Sequence, residues 1–207
     1  MSADLRQLLA DLPLVAVLRG LAPENAVAVG QALFDAGFRV IEVPLNSPQP
    51  FASIEMLADA FGADALIGAG TVLRPEDVGR VRGAGGRLIV MPHSDPRIIG
   101  EAKARGLVCL PGVATPTEGF AALAAGADGL KLFPAEAISS PVVKAWRAVF
   151  PADTLLLPVG GITPERMADY RAAGASGFGL GVALFHPGLT TSEVNARANA
   201  FVAAVKV

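Results

Sequence analysis

Asp128-Gly129-Leu130-Lys131-Leu132-Phe133-Pro134 decides how this chain is read. A short apolar run between turn residues reads as a strand buried on both faces. Ahead of it, Ala125-Gly126 closes a helix, with glycine supplying the left-handed position after the last turn. Beyond it, Pro141 opens the next helix, because the missing proline N–H has no partner in a first turn anyway. The stretch is therefore the strand of a β-then-α unit. One lysine stands inside it. Burial penalises an ammonium, so Lys131 is expected to be partly neutral at working pH. A neutral amine is a nucleophile toward carbonyls. The competing reading is a strand-end lysine that extends its charge to solvent.

The same punctuation repeats in both directions. Pro23, Pro48, Pro75, Pro96, Pro116, Pro141 and Pro164 each precede a stretch that can be helical, at successive gaps of 20 to 27 residues. That spacing suits one strand, one helix and two short loops. Thr115-Pro116-Thr117-Glu118 is the clearest start, with Thr115 as cap, proline in the first turn and Glu118 completing a capping box. Thr163-Pro164 offers a second threonine cap. The helices close on Ala36-Gly37, Ala84-Gly85, Ala125-Gly126 and Ala173-Gly174.

Strands are expected at 14–18, 39–45, 66–70, 88–91, 107–110, 129–133, 155–159 and 177–180, after a leading helix near 2–12. Strand–helix alternation implies a parallel sheet. Eight units favour an α/β single (β/α)8 TIM barrel with an additional N-terminal helix, filling residues 1–207 as one domain, near the short limit of that fold. An open flavodoxin-like sheet needs fewer strands. Parity points the same way. In the second strand Ile41, Val43 and Leu45 share one face, and Glu42 lies on the other. In the sixth, Leu130 and Leu132 face the helices while Gly129, Lys131 and Phe133 face inward. Four strands apart in a ring of eight, Glu42 and Lys131 face each other.

Composition narrows the function. The chain has 207 residues, 52% hydrophobic and 17% charged, with a net charge of −2 and no long basic run. Nucleic acid is not expected as a partner, nor is a membrane: no apolar run approaches the ~20 residues of a span, and the first eleven residues lack a signal-peptide core. Cys109 is the sole cysteine, so no disulfide framework or cysteine zinc cluster exists within one chain. A reducing cytoplasm fits. His93 and His186 are the only histidines, and no metal-ligand spacing occurs, so no metal or cofactor is expected. Ser47 and Ser94 lack a histidine partner in a hydrolase motif.

In such barrels the chemistry sits at the C-terminal strand ends. Those ends carry Arg19-Gly20, Asn46-Ser47, Gly70-Thr71, Pro92-His93, Gly160-Gly161 and Gly179-Leu180-Gly181. Glu42 reads as a general acid/base with a raised pKa, or as an ion-pair partner. Arg19 reads as a clamp on a carboxylate or phosphate, with the Thr71 hydroxyl beside it. Gly160-Gly161 and Gly179-Leu180-Gly181 read as a phosphate cradle, since glycines let backbone N–H groups approach an anion.

Together, Ala16-Val17-Leu18-Arg19-Gly20, Ile41-Glu42-Val43-Pro44-Leu45-Asn46-Ser47-Pro48, Gly68-Ala69-Gly70-Thr71-Val72, Leu110-Pro111-Gly112, Leu130-Lys131-Leu132-Phe133-Pro134 and Pro158-Val159-Gly160-Gly161 resemble the 2-dehydro-3-deoxy-phosphogluconate/phosphogalactonate aldolase family. The resemblance implies metal-free class I aldol cleavage of a phosphorylated 2-keto-3-deoxy sugar acid to pyruvate and glyceraldehyde 3-phosphate. It implies a Schiff base on Lys131 and proton transfer by Glu42 through a water. It also implies substrate contacts from Arg19, Thr71, Asn46, Pro92, Phe133 and Val159, and phosphate contacts from Gly160, Gly161, Gly179, Gly181 and Val182. Such barrels resemble homotrimers. Two departures, Pro44-Leu45-Asn46-Ser47 for Thr-Leu-Arg-Thr and Val159 for Thr, resemble the phosphogalactonate type, which differs at the C4 hydroxyl. Val182 replaces the serine that relatives tend to carry, which leaves phosphate to backbone N–H groups. The alternatives are 2-dehydro-3-deoxy-6-phosphogluconate or 4-hydroxy-2-oxoglutarate cleavage, a phosphosugar isomerase or epimerase that needs no Schiff base, and a barrel that binds a phosphosugar without turnover.

Overall fold

The computed structural model describes residues 5–206. A short helix α1 (Leu5–Asp11) leads into alternating strands and helices: β1 (Leu14–Val17), α2 (Pro23–Asp35), β2 (Val40–Pro44), α3 (Pro50–Phe61), β3 (Leu66–Gly70), α4 (Pro75–Gly83), β4 (Leu88–Val90), α5 (Pro96–Ala104) and β5 (Val108–Leu110). Then follow β6 (Gly112–Val113), α6 (Pro116–Ala124), β7 (Leu130–Leu132), α7 (Ser140–Arg147), β8 (Leu156–Pro158), α8 (Pro164–Ala172), β9 (Phe178–Leu180) and α9 (Thr191–Lys206). The expected first helix began at residue 2, and its opening residues lie outside those described.

All strand pairs are parallel. Six strands form one sheet in the order β5-β4-β3-β2-β1-β9, and three form a second, β6-β7-β8. A single bridge, Val159 to Gly179, runs from the end of β8 to β9. Eight strands were expected. The fifth, expected at 107–110, spans Val108–Leu110, and an unexpected strand β6 follows Pro111, which carries no N–H for the ladder, although its carbonyl still accepts from Lys131 N at 2.9 Å.

Two apolar layers follow from strand parity. One lies between sheet and helices and includes Ile41, Val43, Leu130 and Leu132. The other lies on the opposite sheet face and gathers Val15, Val40, Leu66, Leu88, Leu110 and Leu157 with Leu5 and Leu9 of α1. Val40, Leu66 and Leu88 open their strands, so α1 covers the N-terminal ends and leaves the C-terminal ends open. Glu42 and Lys131 occupy this inner face, as the alternation implied.

The proline signal located most helix starts. Pro23, Pro75, Pro96, Pro116 and Pro164 are first helical residues. Pro48 is not: α3 begins at Pro50, after Gln49 with φ of 40°. A residue before proline avoids the helical region, so Gln49 blocks any earlier start. The capping box at Thr115 and Glu118 is present. Thr163 occupies a cap position without making the cap hydrogen bond. The closing glycines Gly37, Gly85, Gly126 and Gly174 all have positive φ.

Candidate active site

Glu42 and Lys131 are brought to one small cavity of about 20 Å3, which Val17, Val159 and Gly179 also line. That volume suits a single water. Glu42 is 1% exposed and Lys131 is 6% exposed. Oε2 of Glu42 has no hydrogen-bond partner. Burial pushes the Glu42 carboxyl up to about 7, against the nearby charges of Lys131 and Arg19, which pull it down. Burial likewise lowers the Lys131 ammonium, opposed by Glu42 and assisted by Arg19. The two groups thus sit closer in proton affinity than free carboxylate and amine do. Lys131 Nζ stands 4.7 Å from the centre of the Phe133 ring, which keeps its head among apolar atoms.

The carboxylate of Glu42 lies over Gly70. A Cβ on Gly70 would fall 1.8 Å from Glu42 Oε2, so glycine is what gives the acid its place. Gly70→Ala is expected to displace Glu42 and lower turnover by about 100-fold, the lower end of a lost acid/base group. Far-ultraviolet circular dichroism and a kcat measurement check this together: native spectrum, depressed rate.

Above Lys131 opens a larger cavity of about 490 Å3 at the C-terminal strand ends, within the size range of small-molecule sites. Lys131, Arg19, Phe133 and Val159 line it together with Gly160, Gly161, Gly181 and Val182. Lys131 borders both cavities, so its amine can meet a ligand from above and a proton source from below. Gly160 and Gly161 have φ of +108° and +59°, a conformation that glycine adopts without strain. After them, the N–H groups of Gly161, Ile162 and Thr163 donate to no group among the described residues, and α8 begins at Pro164. Successive free N–H groups at a helix N-terminus favour an anion.

Arg19 is held from behind. Its Nη1 donates to Asn46 Oδ1 at 2.7 Å and its Nη2 to Thr71 Oγ1 at 3.4 Å. Thr71 takes φ of 53°, strained for a β-branched residue, and that turn carries its hydroxyl toward Arg19. Asn46 and Thr71 line an adjoining pocket with Arg74 and Asp77 rather than the large cavity. They reach it through Arg19. Ser47 Oγ accepts from Gly20 N at 2.9 Å and pins the same loop.

Two further expected contacts, Pro92 and Gly179, are placed elsewhere. Pro92 lines neither cavity; its carbonyl abuts Gly112. Gly179 belongs to β9 and the small cavity, where Val159 packs against it. Its role is close strand approach. His93 is exposed. The sequence reading missed Glu136, Thr163 and His186, all of which line the large cavity. Among the described residues no three His, Cys, Asp or Glu side chains cluster as a metal site, and no helix is long and apolar enough to cross a membrane.

The relatives of this chain mark a carbon–carbon lyase of the aldolase type, with which a lysine and a carboxylate buried on the inner face of a parallel α/β fold agree. A family model for KDPG and KHG aldolase matches residues 5–200, and the chain belongs to that family. A probable 2-dehydro-3-deoxy-6-phosphogalactonate aldolase of Rhizobium meliloti (strain 1021) is 50% identical to it, over 94% of this chain and 92% of its own. The 2-dehydro-3-deoxy-6-phosphogalactonate aldolase of Escherichia coli (strain K12) is 46% identical, over 94% and 95%. A solved structure described as native KDPGal superposes with a TM-score of 0.93 at 46% identity, over 94% of this chain and 95% of that one.

Proposed function

We propose that the chain cleaves 2-dehydro-3-deoxy-6-phosphogalactonate to pyruvate and D-glyceraldehyde 3-phosphate through a Schiff base on Lys131. The observation that carries this is the pairing of Lys131 and Glu42 at one water-sized cavity beneath a larger cavity lined by backbone N–H groups that have no acceptor among the described residues. The two sheets act as one (β/α)8 ring closed through Pro111 and the Val159–Gly179 bridge, with α1 at its base, and residues 1–207 are one domain.

Neutral Lys131 attacks the C2 carbonyl. The carbinolamine loses water to give an iminium, which accepts the electron pair when the C3–C4 bond breaks. Glu42 removes the C4 hydroxyl proton through a water as that bond opens, and the aldehyde leaves. The proton is returned to C3 of the enamine, and hydrolysis releases pyruvate and the free amine. A group near pH 7 serves both directions of that transfer. Arg19, fixed by Asn46 and Thr71, holds the substrate carboxylate. The apolar wall of Phe133 and Val159 borders C3 and C4. Gly160, Gly161, Gly181 and Val182 offer backbone to the phosphate. The protein is expected to work as a homotrimer in the cytoplasm; the first rests on the family resemblance. The second fits a lone thiol, Cys109, that burial pushes up to about 12 and makes unreactive.

The test compares the two C4 epimers of the substrate by pyruvate release. The galactonate epimer is expected to be cleaved faster, and Val159→Thr is expected to shift the ratio of kcat/KM toward the gluconate epimer by about tenfold, the scale of one hydrogen bond placed at a hydroxyl. Equal rates for both epimers in both proteins would remove Val159 from specificity.

A further inference from the structure

Arg166 stands in the first turn of α8, where a cation opposes the helix dipole. Its position there is explained by what it holds. Nη1 donates to the Gly161 carbonyl at 2.6 Å, and Nη2 donates to Tyr170 Oη at 3.3 Å. Tyr170 is 2% exposed. Its hydroxyl reaches the carbonyls of Ala135 at 2.9 Å and Ile138 at 3.0 Å. Both carbonyls belong to the loop after β7, the strand of Lys131. A fixed loop therefore anchors the tyrosine, the tyrosine anchors the guanidinium, and the guanidinium grips one peptide of the glycine turn.

That peptide is the one whose orientation matters. In a trans peptide the carbonyl and the following N–H point in opposite directions. Pulling the Gly161 carbonyl toward Arg166 turns the Ile162 N–H the other way. Ile162 lines the large cavity, and its N–H donates to no group among the described residues. Gly161, with φ of +59°, is free to flip without such a hold.

We infer that Arg166 and Tyr170 form a brace that positions the Gly161–Ile162 peptide as a donor to the substrate phosphate. The inference rests on the aldolase reading above and adds positioning residues to it. Arg166 acts through the peptide and does not line the cavity. The brace makes phosphate recognition depend on a side chain outside the site.

Two readings on the same proteins separate this from the parent proposal. The first is trapping of pyruvate on Lys131 by borohydride, which needs no phosphate. The second is KM for the phosphorylated substrate, together with the inhibition constant of inorganic phosphate. For Arg166→Met, both phosphate-dependent constants are expected to rise about tenfold, the scale of one hydrogen bond from a charged group, while trapping stays within about twofold. Arg166→Lys recovers part of the loss. Tyr170→Phe shows a smaller rise, and the double variant is no worse than Arg166→Met alone, because the two act as one unit. Unchanged phosphate constants in Arg166→Met would overturn the brace. So would equal losses in trapping and phosphate binding with no recovery by lysine, which would mark a general structural role. Absence of trapping in the unaltered protein would overturn the parent reading instead.

Discussion

Lys131→Met is expected to abolish cleavage, lowering kcat by about 10^4-fold or more, the scale on which covalent nucleophiles are lost. Methionine matches the length of the lysine stem and fits the apolar wall of Val17, Val159 and Phe133, so the strand should keep its place. The same substitution should stabilise the protein. Burial lowers the ammonium's pKa in the folded state, so the unfolded chain binds the proton more tightly. Native stability then falls as pH drops from the ordinary lysine range through that lowered value. The methionine variant lacks this loss, and its thermal midpoint at pH 7 should exceed the native one. A variant that is inactive and less stable would point to a structural lysine; one that retains turnover would remove Lys131 from the chemistry.

Glu42→Gln separates the two halves of the reaction. Cleavage is expected to fall by about 10^2- to 10^4-fold, the range for a lost general acid/base, while pyruvate still condenses with Lys131, because the amine remains neutral enough to attack. Stability gives a second signature. The Glu42 carboxyl is held at about 7 by burial, above its unfolded value. The folded state therefore keeps the proton longer, and native stability declines as pH rises from about 4.5 through about 7. Glutamine does not ionise. At pH 8 the variant should be more stable than the native protein by as much as about 3 kcal/mol, less whatever Lys131 regains from the native carboxylate, and the two should converge near pH 4. Urea unfolding at both pH values measures this. A gap that is constant with pH would contradict a buried carboxyl at Glu42.

Much of this was legible because parallel strands and glycine stops leave local marks. Leu130-Lys131-Leu132 reads as a strand from three residues, and parity alone placed Glu42 and Lys131 on the inner face. Pro111 was equally visible in the sequence, but its effect on the ladder depends on which neighbour needs the missing N–H. The start of α3 required weighing Pro48 against Pro50, two prolines that make competing demands on Gln49. The mouth of the site was less legible. Arg19 was found with the Thr71 hydroxyl beside it, yet that Asn46 and Thr71 hold the guanidinium instead of lining the large cavity, from 27 and 52 residues away in sequence, follows from no spacing rule. Gly179 carried the same glycine signal as Gly161, although it packs Val159 and lies in a strand. Arg166 did leave a trace: a cation in a first helical turn, where the dipole disfavours it. Glu136 and His186 left none, since a lone acid or histidine in a loop resembles any solvated side chain.

The central claim is a buried amine that attacks a carbonyl. Incubation of the protein with pyruvate and borohydride, followed by peptide mapping, addresses it directly. The account predicts a single reduced pyruvate adduct on Lys131, formed also in Glu42→Gln and absent in Lys131→Met. An adduct on any other lysine, or none at all, would contradict it.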